Sequence, residues 1–343
     1  MVTQFPLDYM HLICLGVMRR LIWLWTKSPL EKNIRLSAMS VQRLSDSLLQ
    51  LKSHVPSEFA RKCRPVSEID RWKATEFRQF LLYCGPVVLK GILPVALYSN
   101  FLLLSVGIFC LVSPSLCYTH CGIARALLHT FVSQAGVLYG QDVLVYNVHG
   151  ILHVADDVNV FGPLDTVSAF PFENFLGQIK RLVRKPNLPL QQVVHRLAEK
   201  KAQKKKKTKI ENALKKQHFL GPLPPNFPPC NQFHQLKQDD VLISADAADV
   251  RDNCVKIGND FCLLRNIVTV PQAEGQDIFV VHEHFTQVRD FFDCPFQSSD
   301  LGISLVNRPS GHMQVSPLED IVCKYYLLPF RGSFVAIPLL HLL

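Results

Sequence analysis

The 343-residue chain has no apolar run of the roughly twenty residues that a membrane-spanning helix needs. Its most hydrophobic stretch, NFLLLSVGIFCLVSPSLC, holds thirteen unbroken nonpolar or small residues from Phe101 to Ser113 before Pro114 ends it. The flanks lack the basic and aromatic brackets of a membrane anchor, so a buried core helix and no membrane partner are expected. No secretory signal precedes the eleven scattered cysteines, and an odd number suits reduced thiols in a cytosolic or nuclear protein. The tightest grouping, Cys117, His120 and Cys121 in CYTHC, has no second pair at zinc-ribbon spacing and is not read as a metal site. No internal repeat with a period of roughly 20 to 50 residues is evident.

What the sequence does have is core-forming material and one strongly basic segment. With 48% hydrophobic and 19% charged residues the chain can bury a sizeable core and is not disordered. The net charge is +9, unevenly spread. From Lys180 to Gln217, fourteen Lys or Arg stand against Glu199 and Glu211, a local balance of +12, which leaves the rest of the chain at −3. Such a segment reads as a nuclear-import signal, a phosphate-backbone contact, or a solvated helix and linker.

Residues 1 to 198 read as mostly helical. RLSAMSVQRLSDSLLQLKSHV, EIDRWKATEFRQFLLYCG and CGIARALLHTFVSQAGVLYG each carry apolar positions at three and four spacing. A lysine run and then a proline run, EKKAQKKKKTKIENALKKQ and LGPLPPNFPP, mark residues 199–229 as a linker. Residues 230–343 hold short β-branched and aromatic runs separated by Gly, Asn, Asp and Pro, as in DIFVVHEHF and DIVCKYYLLPF. The expected fold class is α+β, a helical region followed by a small all-β, barrel-like domain of five or six strands. Nothing in that domain resembles a nucleotide loop or a nucleophile–base pair, and the pair His282 and His284 in HEHF suggests no chemistry.

Two helical stretches carry polar groups that need an explanation. In FPLDYMHLICLGVMRRLIWLW, Asp8 and His11 lie three apart on the first turn of an otherwise apolar helix, and both are expected to enter the interior. An acid favoured by the helix dipole beside a satisfied core histidine would produce this pattern, as would half of a metal site. His149 and His153 stand four apart, the spacing that lets one ion bind both from one helix face. They lack the glutamate of the zinc-protease motif. Downstream, Pro171 suits a first helical turn, with Phe172, Phe175, Leu176, Ile179, Leu182 and Val183 as the expected buried face. Glu173 shares a different side with Gly177, Lys180, Arg181 and Arg184: a carboxylate, a bare glycine and a basic track. A solvated helix with acid at its start and base at its end accounts for the same order.

LDYMHLICLGVMRRLIWLW, DRWKATEFRQFLLYCGPVVLKGILP, YNVHGILHVADDV and GPLDTVSAFPFENFLGQIKRLVR, in this order, resemble the C-terminal half of transposases of the En/Spm (CACTA) superfamily over about residues 3–198. The resemblance implies an RNase H-like nuclease with a DDE carboxylate triad, in which a helical insertion separates the second Asp from the final Glu. Such triads hold two Mg2+ or Mn2+ ions for in-line attack on phosphodiesters. In AFPFENF, Glu173 matches the last carboxylate. Asp8 and His11 match the family's Asp-x2-His motif, with two assignments. Asp8 is the second catalytic Asp, or Asp8 and His11 join His149 and His153 in a structural Zn2+ site tying the ends of the insertion together, as the related V(D)J recombinase core resembles. The zinc site is the one expected here.

The first catalytic Asp and its strands would lie before Met1. The chain is therefore expected to be a truncated or domesticated transposase-derived protein, inactive alone and retaining DNA binding. Lys180, Arg181, Arg184 and the run Lys204, Lys205, Lys206 and Lys207 are expected to contact DNA backbone and direct the chain to the nucleus. Trp72 is a candidate for stacking on a flipped base, although a tryptophan ahead of an apolar helical run also suits a core. The alternative function is a non-catalytic nuclear scaffold whose β-domain binds a protein, a full-length transposase among the possibilities.

Overall fold

The structure, a computed structural model, describes residues 4–28, 34–204, 213–238, 240–247, 249–272 and 275–340. The architecture is α+β. A helical region runs to Lys204, and an antiparallel sheet occupies Ala213 to Pro338.

The first helix opens as a π-helical segment, Met10–Met18, and continues as α1 (Arg19–Thr26). Helix α2 (Ala38–Gln50) is capped by Ser37, whose side chain accepts the Ser40 N–H, satisfying one of the donors a helix start leaves open. Helix α3 (Ala74–Gln79), a second π segment (Phe80–Cys84) and α4 (Gly85–Val88) follow one another without a break. Then come α5 (Val95–Val112), α6 (Cys121–Tyr139), α7 (Tyr146–Gly150), α8 (Val154–Phe161), α9 (Phe170–Leu182) and α10 (Pro189–Lys204). Helix α5 is long and apolar enough to cross a membrane, but 72% of it is buried inside the protein. It packs on α6 at close range, where a methyl on Gly107 would lie 2.9 Å from the Leu128 side chain. This is the core helix expected of the Phe101–Ser113 run.

Among the described residues the sheet has ten strands: β1 (Ala213–His218), β2 (Asn231–Gln238), β3 (Val241–Ser244), β4 (Cys254–Ile257), β5 (Asp260–Gln272), β6 (Gly275–Asp290), β7 (Ser304–Pro309), β8 (Gln314–Pro317), β9 (Ile321–Phe330) and β10 (Ser333–Pro338). The pairings run β5–β4–β9–β10–β7–β6 and return to β5, so six strands form a cycle, with β1, β2, β3 and β8 outside it. Strand β6 makes this possible by changing partners: it pairs with β5 through His284 and with β7 from Phe285 onward. The stretch read as a linker carries the end of α10 and all of β1, which pairs with β2.

Helices and sheet share one core. The largest hydrophobic cluster includes Tyr9, Trp25, Phe101 and Phe131 of the helical region together with Phe291, just past β6, and Tyr326, Leu328, Val335 and Ile337 of the sheet. Phe59, Tyr83 and Tyr326 pack ring to ring at 5.3–5.8 Å, and the Leu340 N–H donates to the Tyr83 hydroxyl at 3.1 Å. A buried ion cluster adds a polar tie. The Lys324 ammonium, 1% exposed, donates to both Glu58 oxygens at 2.8 Å, to Asp252 at 2.6 Å and to the Leu242 carbonyl at 2.6 Å. Asp252 also accepts the Ser57 N–H and hydroxyl at 3.0 and 2.5 Å. Desolvating these charges is offset because each is paired and hydrogen-bonded.

Candidate functional site

The first helix and the start of α9 meet at Asp8. Its Oδ1 accepts the Ala169 N–H at 2.8 Å and the Met10 N–H at 3.2 Å, and its Oδ2 accepts the His11 N–H at 3.2 Å. Ala169 is the residue at which α9 starts, so Asp8 fixes that helix to the first one across 161 positions. The other contacts at this junction hold Phe170, the first residue of α9. Tyr9 meets its ring edge-on at 6.0 Å, and the Arg78 guanidinium lies 4.8 Å over it. Arg78 is in turn paired with Asp165 at 2.6 Å. Burial works against the Arg78 charge, but the carboxylate of Asp165 beside it favours that charge, and the Arg78 pKa stays above the usual arginine value. Burial also pushes the Tyr9 hydroxyl well above the usual phenol range, so Tyr9 is neutral.

This clamp puts Glu173 beside the start of the π-helical segment. His11 bonds Asp8 through Nδ1, and its Nε2 lies 3.7 Å from Glu173 Oε1. Asp8, His11 and Glu173 therefore form one chain of contacts between residues far apart in sequence. The site is open: the side chains of His11 and Glu173 are 59% and 58% exposed, and that of Asp8 is 27% exposed. The expectation that Asp8 and His11 enter the interior is corrected for His11, because the buried side of its helix is taken by Tyr9, Met10, Leu12 and Ile13. A π turn at a functional position is common, since it moves side chains off the regular helical spacing.

His149 and His153 stay together, ring centroids 5.4 Å apart, although the chain between them passes from α7 into a 3-10 turn. Helix α7 packs against the π-helical segment through two glycines. A methyl on Gly16 would lie 2.5 Å from the Asn147 side chain, and one on Gly150 would lie 2.9 Å from Leu12. The helix bearing His149 thus lies against the helix bearing His11. Among the described residues, no group of three or more His, Cys, Asp or Glu is gathered to hold a metal ion. The remaining acids near Glu173 have structural partners. Asp157 accepts the Leu7 N–H at 2.7 Å, Asp156 pairs with Arg125, and Asp165 holds Arg78.

Beyond Glu173, α9 carries Lys180 and Arg181, and Arg184 follows in the turn past the helix end at Leu182; all three are exposed, with open space over Gly177. The α9–α10 turn is latched by Gln192, which accepts the Arg184 N–H at 2.9 Å and donates to the Lys185 and Asn187 carbonyls. The expected buried face of α9 is a correction: no residue of this helix is buried, and Phe172, Phe175 and Leu176 are 67%, 50% and 63% exposed. Trp72 is a second correction. It lies in the core against Phe77 and Phe80, its indole N–H donating to the Pro65 carbonyl, and it has no face free to stack on a base. Lys205, Lys206 and Lys207, and the side chain of Lys204, lie outside the described residues.

Cys117 and Cys121 are buried and hydrogen-bonded to the carbonyls of Pro114 and Ala155, with their thiols pushed up by burial. His282 bonds the Ser316 hydroxyl at 3.0 Å. Arg78 and Asp165, 87 positions apart, are the site residues that no local sequence signal marks.

Among known proteins, the family model for a domain of unknown function (DUF8592) matches residues 217–339, which run from within β1 to just past β10. No curated protein and no solved structure matches the chain.

Proposed function

We propose that the helical region is a transposase-derived DNA-binding unit in which Asp8 and Glu173 are inherited metal-ligating carboxylates. The observation that carries this reading is the His11-bridged contact between Asp8 and Glu173 at the head of a basic helix. The donor chemistry suits Mg2+ or Mn2+, which would polarise a phosphodiester and activate the attacking oxygen. The set is incomplete, because two carboxylates are gathered here and the nearby Asp156, Asp157 and Asp165 are engaged elsewhere. Binding is therefore the activity proposed for this chain by itself. Asp8 positions Glu173 through Ala169, and Lys180, Arg181 and Arg184 supply backbone contacts beside it. Nuclear import through the Lys204–Lys207 run belongs to the same reading.

A structural Zn2+ at Asp8, His11, His149 and His153 is the second reading, supported by the close packing of α7 on the π-helical segment. It competes with the first for His11, which would have to leave Glu173.

Two measurements on end-labelled DNA test the proposal. Affinity should fall with salt along a slope of roughly 0.9 per phosphate contact, and replacing Lys180, Arg181 and Arg184 by Ala should flatten that slope. With Mg2+ or Mn2+ neither the chain nor its Glu173→Gln variant should nick DNA. Nicking that vanishes in Glu173→Gln would mean a complete centre, and DNA affinity indifferent to salt would remove the DNA-binding reading.

A further inference from the structure

Among the described residues, Cys63 and Cys84 are the two cysteines whose sulfurs touch. Their Sγ atoms lie 3.5 Å apart in the core, with Cys63 7% exposed and Cys84 1% exposed. A buried cysteine is ordinary as a small hydrophobe, but two sulfurs in contact are one short movement from a bond. A disulfide holds its sulfurs about 2.05 Å apart, so these have roughly 1.5 Å left to close.

The chain holds the pair in place before any bond forms. Arg64, next to Cys63, makes a two-pronged ion pair with Glu76, Nε to Oε1 and Nη2 to Oε2 both at 2.6 Å. Glu76 lies on α3, which runs without a break into the π segment that ends at Cys84. Both cysteines are therefore tied to one rod, and joining them gives up little further freedom. A cavity of about 10 Å³, bounded by Cys63, Cys84, Arg64, Glu76 and Trp72 among others, leaves slack beside the sulfurs. Burial pushes the Cys84 thiol well above the usual thiol range, so it stays protonated, and Cys63 is the more accessible of the two.

We propose that Cys63 and Cys84 are a redox-active dithiol, oxidised by hydrogen peroxide to an intramolecular disulfide and restored by a dithiol reductant. The Cys63 sulfur attacks one peroxide oxygen: the O–O bond breaks, an S–O bond forms, and the Cys63 proton leaves with the other oxygen as water. The Cys84 sulfur then attacks the oxidised sulfur: an S–S bond forms, the S–O bond breaks, and the Cys84 proton leaves with the hydroxyl as a second water. Peroxide gains the two electrons that the thiols lose. The Cys84 sulfur also lies 3.8 Å from the Tyr326 hydroxyl of β9. Oxidation therefore takes the S–H out of a contact between helices and sheet while it ties Cys63 to the π segment. Neither cysteine takes part in the DNA-binding reading, and the proposal does not rest on it.

Mass spectrometry on the folded full chain tests the proposal. After excess hydrogen peroxide and blocking of the remaining thiols, trypsin should release residues 63–71 joined to residues 79–90, two hydrogens lighter than the separate peptides. A dithiol should part them. Cys84→Ser should leave Cys63 as a sulfenic acid that dimedone captures, whereas Cys63→Ser should leave Cys84 an unmodified thiol. The exposed Cys294 reports that the oxidant has acted, and the wild-type peptides give the answer even where a variant fails to fold. Cys63 and Cys84 both remaining thiols while Cys294 is oxidised overturns the proposal. So does either of them linked to a different cysteine instead.

Discussion

The Asp8 carboxylate accepts the backbone N–H of Ala169 at 2.8 Å, joining the start of the first helix to the start of α9. A hydrogen bond to a charged acceptor contributes about 1.5–3 kcal/mol. Asp8→Ala should leave the chain folded and cost about that much locally. Hydrogen exchange reads it directly: the amides from Ala169 to Leu176 should exchange faster in the variant. Unchanged exchange would mean that Phe170, through Tyr9 and Arg78, holds α9 without help from Asp8.

Zinc bound by Asp8, His11, His149 and His153 would appear as about one metal per chain in elemental analysis, four ligands being the usual structural set. His149→Ala with His153→Ala should then remove it, while Glu173→Gln should not. Substoichiometric zinc that the double variant leaves unchanged would make these residues ordinary polar groups of their helices.

The Lys324 cluster gives a stability prediction. Lys324→Met leaves Asp252, fully buried, and Glu58 without their cation, a change that costs about 3–5 kcal/mol. Urea unfolding should show the midpoint falling in one transition followed by both helical and near-ultraviolet signals. A loss below about 1 kcal/mol, the worth of an exposed pair, would contradict the burial of this site.

His282 predicts a pH dependence. Burial disfavours its charged form, with His284 adding to the effect, so its folded pKa lies below the 6.5 of an ordinary imidazole. As pH falls, the unfolded chain takes up this proton first. The His282 contribution is therefore full above about pH 6.5 and is lost as the pH drops towards the folded value. Comparing unfolding at about pH 7.5 and 5.5, His282→Gln should show a smaller acid loss than the wild type. Equal losses would place the acid sensitivity in other groups.

Much of this was legible in the sequence, for identifiable reasons. Helices α2, α5 and α6 follow from apolar spacing, and the passage to strands after the proline run follows from β-branched content. The π segments Met10–Met18 and Phe80–Cys84 are not legible, since one extra residue per turn leaves the local apolar pattern intact. Glu173 and Asp8 were singled out by motif. What brings them together is the pairing of Arg78 with Asp165 and the packing of Phe170, a contact between distant segments that periodicity does not encode. The α9 error has the same origin: Phe172, Phe175 and Leu176 mark an amphipathic helix, but spacing names only which face seeks a partner, not whether this chain supplies one.

Because Tyr326, Val335 and Ile337 complete a core begun by Phe59, Tyr83 and Phe101, the boundary near Lys204 is not a seam. A fragment ending there would turn a wall of buried aromatic rings towards water, and the sheet alone would do the same from its side. Separating the two parts would therefore cost each of them the packing that the other supplies.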